Sequence, residues 1–125
     1  MSREALLRFA LIAFGIAFCL LYPLAIVWPS GWAWHKGAPA DSQYFMMIVG
    51  VYATLGVFLI RAASDPAANR SLIWFTIVSS LVHAGIMAIQ SFGHGTHQGH
   101  LLGDVPVLIL VAVVLAALMP PKSAA

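Results

Sequence analysis

The chain has 125 residues, of which 62% are hydrophobic and only 8% charged. A soluble domain carries about 25% charged residues, so these few charges exclude a water-covered fold, and the high apolar content excludes disorder. A formal net charge of +2 from scattered residues excludes the basic patch that nucleic acid requires, and the single cysteine, Cys19, excludes an intrachain disulfide or a multi-cysteine zinc site.

Charged residues divide the chain into four uncharged stretches: Phe9 to Trp28, Ser42 to Ile60, Ser71 to Gly103 and Val105 to Pro121. A helix needs roughly 20 apolar residues to cross a bilayer core, and the glycines and histidines from Gly93 onward end the third stretch. The expected fold is therefore all-α: a single membrane domain over residues 1–125, built as a four-transmembrane-helix bundle. The helices are placed at about 5–28, 42–62, 71–92 and 102–119, with an outer histidine-rich loop at 93–104.

In the first helix, Pro23 predicts a kink in the outer third, because proline lacks an N–H and crowds the preceding turn. Arg3 and Arg8 ahead of an apolar run resemble a signal peptide, with Ala38-Pro39-Ala40 as a cleavage-like site. The run is longer than the usual signal-peptide core of about 7–15 residues, which favours a span. Asp41 or Ser42 is expected to cap the second helix and Ser71 the third. Asp104 is expected to cap the fourth, with Pro106 in its first turn.

Arg3, Arg8, Arg61, Arg70 and Lys122 fall on one side of these spans and Lys36 on the other. The positive-inside rule then places both termini in the cytoplasm. Small residues mark helix contacts in lipid: Thr76, Ser80, Ala84 and Ala88 form a stripe on the third helix. Gly50, Ala53, Thr54 and Gly56 serve the second helix, Ala112 and Ala116 the fourth, and Ala10, Ala13 and Ala17 the first. Packing of the bundle is the favoured role of such stripes and dimerisation the lesser alternative, a choice the pattern alone does not decide.

His83 is the one readily ionisable side chain expected deep in the bilayer. An intramembrane ionisable group is a functional-site hypothesis by default; the plainer reading is a neutral imidazole bonded to Ser79, Ser80, Tyr22, Tyr52 or Thr54. His83, Met87 and Gln90 share one helical face as a polar seam that His94 and His97 would extend. The outer string His94, His97, His100 with Asp104 has the residue types of a Zn, Cu or Ni site. Met46 and Met47 on the same side would suit copper, although a solvated glycine-rich loop has the same sequence.

No catalytic set emerges: paired intramembrane carboxylates, an interpretable Ser/His/Asp spacing and a phosphate loop are all missing from the sequence. The first functional reading is a scaffold or accessory subunit of a larger membrane complex, or a bundle that binds an apolar ligand such as a quinone or lipid. The second is a copper- or zinc-binding membrane protein using the outer histidines. The third is a proton-coupled or enzymatic role centred on His83.

The segments Ile48–Gly56, Arg61–Asn69 and His83-Ala84-Gly85, the YP…WPSGW end of the first helix and the run Gly99–Pro106 resemble the small four-helix bacterial membrane proteins of the DoxX-like type. The likeness is greatest to an uncharacterised family of unknown function. It implies a compact four-helix bundle in the bacterial cytoplasmic (inner) membrane, and DoxX-like proteins are linked to quinone, thiol-redox and respiratory accessory roles. The thiol-redox part does not carry over, since this chain has no cysteine pair.

Overall fold

The computed structural model describes residues 2–28, 40, 42–93 and 103–119. Its helices are α1 (Arg3–Cys19), α2 (Leu21–Val27), α3 (Gln43–Ala62), α4 (Arg70–Gly93) and α5 (Asp104–Leu118), with a 3₁₀ turn at Ala67–Asn69. Among the described residues there is no strand.

The break between α1 and α2 falls where Pro23 dictates. An α-helical Pro23 would have to bond the Cys19 carbonyl, which its ring instead displaces. The first segment ends at Cys19, the Leu20 N–H closes onto the Ile16 and Ala17 carbonyls, and the second segment leaves at 59° to the first. Ser42, of the two candidates, caps α3 by accepting from the Phe45 N–H at 3.1 Å. Ser2, unanticipated, caps α1 through the Ala5 N–H.

Two expected caps are corrected. Ser71 lies inside α4, because Asp65 has already accepted from the Ala68 N–H at 3.2 Å and started the 3₁₀ turn that runs into the helix. At α5 the N-cap is Gly103, without a side-chain bond. Asp104 sits one position further in, and its side chain is buried at 5% exposure.

Gln43–Ala62 and Ala67–Gln90 are each long and apolar enough to cross a membrane, and the bent α1–α2 pair counts as a third span if taken as one unit. With 15 residues, α5 reaches about 22 Å at 1.5 Å per residue, short of the roughly 30 Å core. The outer surface is apolar along its length, from Phe9 and Val57 to Phe75 and Ile89. In water such a surface would aggregate.

Packing runs as two helix pairs, α1 on α3 and α4 on α5, joined where α1 meets α5. The tightest point is the crossing of Gly15 and Gly56. A Cβ on Gly15 would lie 2.6 Å from the Gly56 carbonyl oxygen and 2.7 Å from Ile60 Cγ1, so only glycine lets these backbones meet. On α4, Thr76, Ser80 and Ala84 are buried as one stripe, and on α5 Ala112 is buried too. Gly50 and Thr54 of α3 and Ala116 of α5 are instead exposed.

Arginines of α1 close the opposite ends of its neighbours. Arg3 donates to the Ala117 and Met119 carbonyls at 3.0 and 2.9 Å. Arg8 donates to Ala63 and Ser64 at 3.0 and 2.8 Å and pairs with Glu4 at 2.6 Å. These bonds satisfy helix C-terminal carbonyls that have no partner within their own helix, and the cation suits the negative end of the helix dipole. The start of α1 and the ends of α3 and α5 thus gather at one end of the molecule.

Candidate functional site

A half-open cavity of about 300 Å³ lies between α1, α2, α3, α4 and α5. Its walls are apolar, with Phe18 from α1, Leu21 and Leu24 from α2, Phe45 and Ile48 from α3, Met87 from α4 and Leu108 from α5. Three side chains break that apolar lining: Tyr52, His83 and Asp104. Each comes from a different helix, so the cluster exists only when α3, α4 and α5 are assembled.

Tyr52 is held from two sides. Its ring packs edge-on against Phe18, with centroids 5.1 Å apart and planes at 72°, a favourable aromatic geometry. On the other side it stacks obliquely on the His83 ring, and its hydroxyl is hydrogen-bonded to His83 Nδ1. Because α3 and α4 are not among the closely packed helix pairs, this bond bridges a gap between them. With the phenol as donor, the imidazole carries its ring proton on Nε2.

Asp104 lines the same cavity as Tyr52 and His83. Counted from the C-terminal end of α5, it lies about 21 Å up the bundle, while His83 lies about 20 Å above the start of α4. The reading of His83 as the lone ionisable group at depth is therefore corrected. A carboxylate stands at nearly the same height, because α5 begins deep in the bundle rather than in the outer loop.

Tyr52, His83 and Ile48 also line a second hollow of about 340 Å³ together with Tyr44, Met47 and Val51. Tyr44, Met47 and Val51 are exposed, so this hollow faces outward. The Tyr52–His83 pair is thus a shared wall, with the half-open cavity on one side and the molecule's apolar exterior on the other.

The residues singled out from sequence separate in space. His83 and Met87 line the cavity, whereas Gln90 is exposed and lies outside its lining. Met46 and Met47 are exposed, and Asp104 turns into the cavity. His94, His97 and His100 lie outside the described residues. Among the described residues no three His, Cys, Asp or Glu side chains gather as a metal-holding group. Cys19 turns toward α3, its thiol donating to the Ala53 carbonyl at 3.6 Å, and Thr54 bonds back to the Gly50 carbonyl.

Sequence reasoning gave Tyr52 as one of several partners for His83 and gave Phe18 no part in the site. The usable signal was an i, i+3, i+7 series on the second predicted helix, Phe45, Ile48 and Tyr52, all three of which line the cavity.

Together the helices and the cavity define an all-α protein with helices apolar enough to span a membrane and an apolar cavity between them. The chain belongs to a family of unknown function (DUF6632), whose family model matches residues 1–124. No curated protein and no solved structure matches it.

Proposed function

We propose that the protein is a four-span bundle of the bacterial cytoplasmic membrane, with both termini inside, that holds a small apolar ligand such as a quinone or lipid in its half-open cavity. It would act alone, as a homo-oligomer or as an accessory subunit of a larger membrane complex. The orientation is supported by the gathering of Arg3 and Arg8 with the ends of α3 and α5, together with the positive-inside rule. The resemblance to DoxX-like bundles supports the same architecture, with α5 as the fourth and shortest span, accommodated by local thinning of the bilayer.

The observation that carries the ligand reading is the cavity itself. Ligand sites are concave, mostly apolar and marked by a few convergent polar groups, with volumes of about 300–1,000 Å³. This one has about 300 Å³, apolar walls and the cluster of Tyr52, His83 and Asp104.

Native mass spectrometry of the full chain from mild detergent tests it. The expected result is a bound small-molecule adduct that disappears in Ala17→Trp, which fills the cavity from α1. A folded wild-type protein without any adduct, or an adduct that survives Ala17→Trp, would overturn the reading.

A further inference from the structure

The end of the molecule where α1 begins and α3 and α5 finish gathers more positive charge than its fastening uses. Among the described residues it holds Arg3, Arg8, Arg61 and Arg70 against Glu4 and Asp65. Arg3 and Arg8 are engaged with helix-end carbonyls, whereas Arg61 is exposed in the last turn of α3. Its guanidinium lies 5.7 Å from the centre of the Phe58 ring, a cation–π contact that orients the group without using its N–H donors.

The four acidic residues of the chain are committed or distant. Glu4 pairs with Arg8, and Asp65 accepts from the Ala68 N–H at 3.2 Å. Asp41 precedes α3 by two positions, a whole helix away from Arg61 in sequence. Asp104 opens α5, about 21 Å above this end. Among the described residues no carboxylate lies within ion-pair distance of Arg61.

Beside Arg61 an outward-facing hollow of about 490 Å³ is lined by Phe58, Ile60, Arg61, Ser64 and Asn69. Phe58 and Ile60 form its apolar wall on the side of the span, and Arg61, Ser64 and Asn69 its polar end. Asn69 spends one amide N–H on the Asp65 carbonyl and has a second to donate. The Ser64 hydroxyl and Arg8 already donate to carbonyls that end α3, which covers the negative end of that helix dipole. An apolar wall beneath an uncommitted guanidinium matches a phospholipid, whose phosphate a guanidinium grips through paired N–H bonds and whose chain lies toward the bilayer core. A zwitterionic head brings its own cation and gains less here than a head with net negative charge, which basic residues at a membrane surface attract.

Resting on the membrane reading above, we propose that this hollow is a binding site for an anionic phospholipid. The phosphate meets Arg61 and Asn69, and an acyl chain lies along Phe58 and Ile60.

Native mass spectrometry of the full chain, released from nanodiscs of equal parts phosphatidylcholine and phosphatidylglycerol, tests it. The wild type is expected to retain phosphatidylglycerol over phosphatidylcholine by about fivefold, the worth of one arginine at an anionic surface. Arg61→Gln is expected to abolish the preference. Ser64→Trp keeps every charge but fills the hollow, and it is expected to abolish the preference too.

Equal retention of the two lipids by the wild type overturns the site while leaving the membrane reading standing. A preference that survives either variant also overturns it, since a diffuse field of surface charge would then suffice. Displacement of the bound lipid by millimolar inorganic phosphate would reassign the hollow to free anions. Failure of the wild type to enter nanodiscs overturns the membrane reading itself. Both substituted positions are exposed; should one variant not fold, the other decides.

Discussion

At the residue scale, the Tyr52–His83 hydrogen bond is the contact with most depending on it. It joins α3 to α4, and each partner removed alone strands the other's polar group away from water. Interhelical hydrogen bonds in membrane proteins average about 0.6 kcal/mol and reach about 1.7 kcal/mol, and the burial around Phe18 favours the upper part of that range. Tyr52→Phe is therefore expected to lower stability by about 1–2 kcal/mol while keeping the edge-on ring contact with Phe18. His83→Leu is expected to cost a similar amount. The double variant should cost clearly less than the sum, because the second change removes a group already without its partner. Denaturant titration of the four proteins in detergent measures the cycle, and strict additivity would mean that the bond contributes nothing.

At the element scale, glycine placement decides how α1 and α3 pack. Gly15 and Gly56 meet backbone to backbone, and a methyl on either runs into the opposite carbonyl. Gly15→Ala and Gly56→Ala are each expected to destabilise by about 1–3 kcal/mol through overpacking. Gly50 and Gly85 face open space. Gly50→Ala and Gly85→Ala are expected to be neutral or stabilising by up to about 1 kcal/mol, since alanine is the better helix former. Thermal melts of the four variants separate the two classes. Position in a small-residue pattern does not: Gly50 and Gly56 occur in one run of sequence, yet only Gly56 faces the neighbouring helix.

For the whole molecule, the arginines that set orientation also fasten the bundle. Arg3 ties the first turn of α1 to the last turn of α5, and Arg8 ties α1 to the end of α3. Arg8 is partly solvated and already paired with Glu4, so its share is discounted to about 1 kcal/mol. Arg3→Ala and Arg8→Ala are each expected to lower the melting temperature in detergent. Arg3→Lys is expected to recover only part of the loss, because a guanidinium can hold two carbonyls through its fork and an ammonium holds them less well. Full recovery by lysine would show that charge alone matters.

Much of this architecture was legible because bilayer chemistry is written in composition. The few charges mark the breaks between apolar stretches, Pro23 sets the bend at Cys19, and Ser42 caps α3, each through a local rule that requires no knowledge of neighbours. The site was legible only in part. His83 was conspicuous as an ionisable residue in an apolar run, but its partner lies 31 positions away on another helix, and the choice among several hydroxyls depended on packing. Asp104 was read as a cap because its neighbours in sequence are loop-like. Only the assembled helices show that α5 starts deep enough to bury it beside His83. Sequence by itself determined the apolar character of this protein, its helical elements and the conspicuousness of His83, since those follow from local hydrophobicity and backbone chemistry. The tertiary structure decided which glycines touch, which way Asp104 faces and that a cavity exists, since each depends on how separate helices approach one another.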